Sequence, residues 1–223
     1  MATGGPMVMP TDQEVLTLTQ WFSPGFPVGS FAYSHGLEWA IETEKVRDAE
    51  TARDWISATM VHGAGRNDCM FIGAAYRARN AKEVDDIDAT CRAFAASRER
   101  LKEADLQGAA FCAATSAIWS TRVRGLVYPV AVGRAANLQN LPLRLTAQMY
   151  LHSFVANLAA VAMRLVPLGQ TEGQRLIHAL MPQTAEIASH AVEAGLDSLS
   201  ATALASDIAS MKHETQYSRI FRT

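Results

Sequence analysis

The fold is decided by residues 143–165, LRLTAQMYLHSFVANLAAVAMRL, a long apolar stretch in the second half of the chain. Between Leu145 and Met163 it carries no charged side chain, so its length alone would nearly span a bilayer. Polar residues interrupt it, however, and leave the strongly apolar positions on one stripe with helical spacing. The interrupting residues are Thr146, Gln148, His152, Ser153 and Asn157. The pattern therefore predicts the central helix of a soluble bundle and no membrane span.

Nearly every other periodic segment also predicts a helix, and alanine, the strongest helix former, is abundant throughout the chain. Capping boxes at Thr11–Glu14 and Thr171–Gln174 indicate two helix starts. Prolines such as Pro182 are expected to separate neighbouring helices. The predicted helices cover residues 11–22, 34–44, 48–63, 67–80, 84–98, 104–120, 129–139, 143–165, 172–181, 184–196 and 200–212.

Strand signals are almost absent, since the one stretch with weak strand character, residues 125–132, contains Pro129. No internal repeat and no linker divides the chain. The sequence therefore predicts an all-α protein, a single-domain bundle of about ten helices over residues 11–223. Residues 1–10, rich in glycine, proline and methionine, are expected to be disordered and lack the pattern of a signal peptide.

Composition narrows the classes of function. A formal net charge of −2 does not suit a nucleic-acid-binding protein, which would usually show a basic stripe. The three cysteines, Cys69, Cys91 and Cys112, are widely spaced and odd in number, so we expect buried, reduced thiols and a cytoplasmic location.

Sequence motifs of catalysis are missing. The chain has neither a Walker phosphate-binding loop nor a G-x-S-x-G nucleophile elbow. His213-Glu214 begins like the zinc motif H-E-x-x-H, but Tyr217 replaces the second histidine. The six histidines form no pair at helical spacing. We therefore expect no enzyme, no resident metal and no cofactor. A site assembled across helices, either of an enzyme or of a regulator that binds a small ligand, stays open as the alternative.

Three segments do not fit a generic bundle: the aromatic stretch 21–38, the loop 166–171, and the chain end 213–223. In the chain end, Tyr217, Ile220 and Phe221 fall at positions that one helical turn would set side by side. An apolar triplet near a chain end favours docking onto another surface, although a tail folded on its own core stays possible. For the aromatic stretch, burial against the core and exposure at an interface are equally open.

Together these segments resemble the UreF family of urease accessory proteins. The resemblance rests on Ser23-Pro24 and the P-x-G-x-F-x-Y-S-x-G-L-E pattern of residues 27–38, on residues 165–170 (LVPLGQ), and on residues 213–222 (HETQYSRIFR). Shorter matches, SRE at 97–99 and YPVAVG at 128–133, complete it, so it covers nearly the whole chain. The departures are small, an arginine at position 100 where many members have leucine and Thr223 where serine is frequent.

The resemblance implies an all-α, cytoplasmic homodimer that acts as a chaperone and not as an enzyme. It would bridge an accessory protein of the UreD/UreH type to the GTPase UreG on apo-urease. In that complex it would regulate GTP-dependent nickel insertion, with nickel passing to urease and direct nickel binding by this chain left open.

The resemblance also assigns residues. Partner binding to the UreD/UreH type is expected in the helix before the chain end and in the chain end itself, through Tyr217, Arg219, Ile220, Phe221 and Arg222. Glu38 and Arg164 match positions linked to GTPase coupling and would lie on the UreG-facing side, unless they are ordinary ion-paired residues. Gln170 would line a nickel route, unless its amide serves only the backbone of its loop.

Overall fold

The computed structural model describes residues 9–222, and over that range the secondary structure is helical without any strand. The helices are α1 (Asp12–Trp21), α2 (Leu37–Glu42), α3 (Ala49–His62), α4 (Ala64–Arg77), α5 (Ala81–Ala93), α6 (Arg98–Trp119), α7 (Tyr128–Leu138), α8 (Leu143–Leu165), α9 (Gln170–Ala191) and α10 (Leu204–His213), with 3₁₀ turns at Ser30–Ala32 and Leu196–Ser198. The predicted all-α class is confirmed. Of the segment predicted to be disordered, residues 1–8 lie outside the described residues, as does Thr223 at the other end.

Helix α8 is central, as predicted, and its bounds agree with the prediction at both ends. It buries Leu151, Phe154, Val155 and Leu158 and packs against α9 along its length, with α3 and α4 on another side. Within residues 9–222, no helix combines the length and the apolar character needed to cross a bilayer. Of the polar residues that interrupt the sequence stripe, Gln148, His152, Ser153 and Asn157 lie on less buried sides of the helix, whereas Thr146 is buried and its hydroxyl donates to the carbonyl of Pro142.

Helices α4 and α7 lie in close contact because glycine permits it. A Cβ atom added to Gly133 would lie 2.3 Å from the carbonyl oxygen of Ile72. Helix α7 begins at Tyr128 with Pro129 in its first turn. Proline is tolerated there because the N–H groups of a first turn have no acceptor within the helix, so the missing N–H costs no hydrogen bond. The weak strand character at 125–132 was therefore misleading, because the apolar residues there are buried on several sides of a helix.

Helix α9 corrects a prediction. The sequence indicated a break at Pro182, but one helix runs from Gln170 to Ala191 with this proline inside it. Its start also differs, since the Glu172 carboxylate accepts the N–H of Gly169 and no capping box forms at Thr171. The lost hydrogen bond at Pro182 is offset by burial, because residues on both sides of it pack into the core, among them Leu180 and Thr184.

The start of α1 and the state of the thiols confirm two further predictions. Thr11 and Glu14 form the predicted capping box, and the three cysteines are buried and unpaired. The aromatic stretch 21–38 proves to be mixed, because Trp21, Phe26 and Tyr33 are buried whereas Phe31 is largely exposed.

The chain end is not helical, so the spacing of Tyr217, Ile220 and Phe221 does not set their side chains side by side. Helix α10 ends at His213, and residues 214–222 follow an irregular path over the surface. Phe221 is buried, whereas Tyr217 is fully exposed and Ile220 mostly exposed. The physical reason lies in the backbone N–H groups of Ile220 and Phe221, which donate to a side chain of α2 instead of to helical carbonyls.

Candidate functional site

The site is built around Glu38, which a tight turn places under the chain end. His35 and Gly36 both have positive φ, 54° and 76°, and this turn brings the start of α2 against α10. A Cβ atom at Gly36 would lie 2.5 Å from the backbone nitrogen of Ser210, so only glycine fits there. His35 adopts a conformation that non-glycine residues reach at a cost of order 1–3 kcal/mol. The turn therefore accounts for the S-H-G-L-E pattern of the sequence.

The Glu38 carboxylate holds the chain end through three contacts. Its Oε1 accepts the N–H of Ile220 at 2.7 Å, and its Oε2 accepts the N–H of Phe221 at 2.9 Å. The same Oε2 lies 3.1 Å from Nε2 of His213. Glu38 is 6% exposed and His213 is fully buried, so these contacts are shielded from water. Hydrogen bonds to an ionised acceptor are roughly twice as strong as neutral ones.

A second carboxylate completes the arrangement, which we call the tail clamp: Glu38, His213, Glu99 and Arg219. Glu99 Oε2 lies 2.7 Å from Nδ1 of His213, and its Oε1 accepts from Arg219 at 2.6 Å. Both ring nitrogens of His213 thus face carboxylate oxygens, so the ring connects Glu38 of α2 with Glu99 of α6. The clamp connects α2 and α6 with α10 and the tail that follows it, three parts of the chain that are distant in sequence.

Phe221 is the apolar anchor of the tail. Its side chain is 4% exposed, and the Arg164 guanidinium lies 4.6 Å from the centroid of its ring. Next to it, the N–H of Arg222 donates to the carbonyl of Ala32 at 2.8 Å, which ties the tail to the aromatic stretch. In this conformation the Phe221 side chain belongs to the core of its own subunit.

Other apolar side chains near the chain end point to solvent. We call this surface the docking face, and it comprises Leu204, Ile208, Met211, Tyr217 and Ile220. The first three recur at i, i+4 and i+7, so they share one exposed side of α10. Each of the five is about half exposed or more, and Tyr217 is completely so. Several large apolar side chains exposed in one region of the chain are typical of interaction sites.

The structure brings together six of the eight residues that the sequence singled out. Contacts connect Glu38 and Arg164 with four of the tail residues, Arg219, Ile220, Phe221 and Arg222, whereas Tyr217 is fully exposed. Sequence alone gave no reason for Glu38 to touch position 221. Gln170 is separate from this network. It is the first residue of α9, is exposed, and lies outside the lining of the large internal cleft described next.

Sequence reasoning missed a cleft of about 980 Å³ between the helices. Its lining is mostly apolar and includes several aromatic side chains, and the part that we call its floor carries His35, Asp68, Arg100 and Glu103. Tyr150 donates to Asp68 at 2.7 Å, Arg100 pairs with Glu103, and Nε2 of His35 lies 3.0 Å from Glu103. Nδ1 of His35 has no hydrogen-bond partner among the described residues. No sequence signal could have found the cleft, because its lining comes from most of the helices.

The cleft floor shifts the ionisation of its groups. Burial raises the pKa of Asp68 to about 6. Burial alone would also raise the pKa of Glu103, but Arg100 and His35 outweigh it and hold that pKa at about 2. Burial, together with the neighbouring Arg100, lowers the pKa of His35 and favours the neutral ring. The floor therefore offers a buried ion pair and a polar ring nitrogen.

Metal-ligating side chains are not grouped in the described part of the chain. Within residues 9–222, no set of three or more histidine, cysteine, aspartate or glutamate side chains is placed to hold an ion. The carboxylates of the tail clamp are already occupied by N–H donors. This arrangement orders backbone and presents side chains, and it offers no activated nucleophile.

Comparison with known proteins agrees with the sequence resemblance. The UreF family profile matches residues 46–181. The chain is 58% identical to the urease accessory protein UreF of Ruegeria pomeroyi, over 97% of this chain and all of the relative. It is 52% identical to UreF of Roseobacter denitrificans, over 97% of both chains, and 41% identical to UreF of Rhodopseudomonas palustris, over 100% and 99%. From this similarity over nearly its full length, the chain belongs to the UreF family of urease accessory proteins.

Proposed function

We propose that this chain is the adaptor that joins a UreD/UreH-type accessory protein to the GTPase UreG during nickel insertion into apo-urease. Membership of the UreF family implies a role in urease maturation. The observation that supports the adaptor role is the arrangement of the tail. The tail clamp holds its inner side against the subunit, and apolar side chains are exposed on its outer side. A surface that is both ordered and apolar loses little conformational entropy when a partner covers it.

In this proposal the docking face binds the UreD/UreH-type partner. Tyr217 and Ile220 follow α10 by a few residues and are exposed like its apolar side, so we expect one partner groove to cover both. Phe221 and Arg219 support this surface indirectly. The buried Phe221 side chain and the ion pair of Arg219 with Glu99 set the path of the tail. Arg222 lies at the edge of this surface and is exposed.

Glu38 and Arg164 would influence the GTPase through the tail. Both oxygens of Glu38 are occupied by tail N–H groups, and the residue is nearly buried. Arg164 is exposed but covers the Phe221 ring. The same tail is bonded to Ala32, so a change at the docking face can reach the aromatic stretch. On this basis we place the UreG-facing side next to residues 30–38.

Homodimer formation, a cytoplasmic location and nickel passage along Gln170 remain part of the proposal. Gln170 is exposed at the start of α9, so a nickel route along it would need a second chain to enclose it. Nickel is cargo in this scheme, bound finally by urease.

The test replaces exposed side chains only. We expect Tyr217→Ala combined with Ile220→Ala to unfold like the wild type but to bind the purified UreD/UreH-type partner at least about tenfold more weakly, since truncated interface anchors cost about 1–2 kcal/mol each. The control is Ile118→Ala with Leu138→Ala, two exposed apolar residues elsewhere. Affinity by titration calorimetry and nickel content of co-expressed urease are the measurements. Wild-type affinity of the tail variant would exclude the docking face.

The cleft supports a second candidate function, a regulator that binds a small ligand. Its volume lies within the range of ligand pockets, and its floor has an unpaired ring nitrogen at His35. Mass spectrometry of the purified native protein should then release a stoichiometric small molecule, which Tyr150→Phe would reduce. A preparation that carries no ligand and shows no thermal shift with cell metabolites would exclude this candidate.

A further inference from the structure

The cations near the docking face fall into two groups, and the tail clamp separates them. Arg219 is already paired within the subunit, because its guanidinium lies 2.6 Å from Glu99. Lys212, Arg164 and Arg222 are exposed, and within residues 9–222 none of them forms an ion pair. Of the nearby carboxylates, Glu38 and Glu99 already bind His213, Arg219 and the tail backbone, and Glu214 accepts the N–H of Arg98.

These three cations border the apolar surface. Lys212 follows Met211 at the end of α10, Arg164 covers the Phe221 ring, and Arg222 is the next residue after Phe221. Among residues 9–222 these cations have no ion-pair partner, although the chain as a whole carries a net charge of −2. Uncompensated cations at the rim of an apolar patch are typical of surfaces that meet a complementary charge.

We infer that the partner of the docking face presents an apolar groove edged by carboxylates, and that Lys212 and Arg222 contact those carboxylates whereas Arg219 does not. The inference rests on the proposed function and adds to it the chemistry of the partner surface. Rim charges of this kind raise the rate of association and make affinity depend on salt. Arg219 has a different role, because its loss would loosen the tail from within.

The experiment measures affinity for the purified UreD/UreH-type partner at several salt concentrations. The test variant is Lys212→Glu with Arg222→Glu. The control is Arg124→Glu with Arg144→Glu, two exposed arginines without ion pairs among the described residues. They lie just beyond α6 and at the start of α8, at the ends opposite to Glu99 and Arg164, so the same change in net charge occurs far from the tail.

We expect the test variant to bind at least about tenfold more weakly at low salt, with the loss mainly in the association rate, and the control variant to bind nearly as well as the wild type. Wild-type affinity should fall as salt rises, and the test variant should lose most of that dependence. The Arg219→Gln variant should instead speed amide exchange at Ile220 and Phe221 and keep the salt dependence.

Two results would overturn the inference: a wild-type affinity that does not change with salt, or equal effects of the test and control variants. The Tyr217→Ala, Ile220→Ala variant separates this failure from that of the proposed function. If that variant binds normally, the docking face itself is wrong. If it binds weakly while charge reversal has no effect, only the acidic edge of the partner groove is excluded.

Discussion

Removal of the Glu38 carboxylate should detach the tail. In Glu38→Ala the N–H groups of Ile220 and Phe221 lose their acceptor, and His213 keeps only one of its two carboxylate partners. Hydrogen bonds to a charged group contribute roughly 1.5–3 kcal/mol each, and release of the tail restores water to the freed N–H groups. We therefore expect the free energy of tail opening to fall by about 3 kcal/mol, which is about 100-fold in the opening equilibrium.

Amide hydrogen exchange measures this opening directly, because exchange at Ile220 and Phe221 reports the local equilibrium and not only global unfolding. Glu38→Gln keeps one acceptor oxygen and most of the shape, so its effect should be smaller, about tenfold in exchange rate. The control is Glu42→Ala, one turn later on α2, where the side chain is exposed.

The reasoning predicts a large effect confined to the tail. If the two amides of Glu38→Ala exchange within about threefold of the wild type, the carboxylate does not hold the tail and the clamp is wrong. If α8 amides in the core speed up equally, Glu38 stabilises the whole bundle and has no special relation to the docking face.

Three further changes test other parts of the structure. Gly36→Ala should destabilise the fold by more than about 2 kcal/mol in denaturant titration, whereas Gly25→Ala, with an open environment, should be nearly neutral. Asp68→Asn should remove a pH dependence of the free energy of unfolding. Burial raises the pKa of the native carboxyl to about 6, so it holds a proton that the unfolded chain releases, and the free energy of unfolding falls by roughly 2 kcal/mol as pH rises from about 4 to about 6. The amide variant should lack this fall. Phe221→Ala should lower the free energy of unfolding by about 2–3 kcal/mol in thermal melts, whereas Arg164→Ala, which loses only the contact with that ring, should cost about 0.5–1 kcal/mol.

Local sequence was sufficient where neighbours along the chain decide the structure. The period of residues 143–165 predicted α8 because its burial follows one helical stripe, and Thr11 with Glu14 predicted the start of α1 because a capping box closes within four residues. The local signal failed at Pro182. The proline predicted a helix break, but packing of the turns on both sides of it outweighs the lost hydrogen bond.

The sequence by itself determined the helical class, the family and the residues worth examining at the chain end. Only the tertiary structure decided what those residues do. Helical spacing suggested that Tyr217, Ile220 and Phe221 share a face. Instead, a carboxylate more than 180 positions away accepts the backbone N–H groups of Ile220 and Phe221, and only the Phe221 side chain is buried while the other two are exposed. Periodicity describes contacts between near neighbours, and a hydrogen bond from α2 to the tail exists only once the chain has folded.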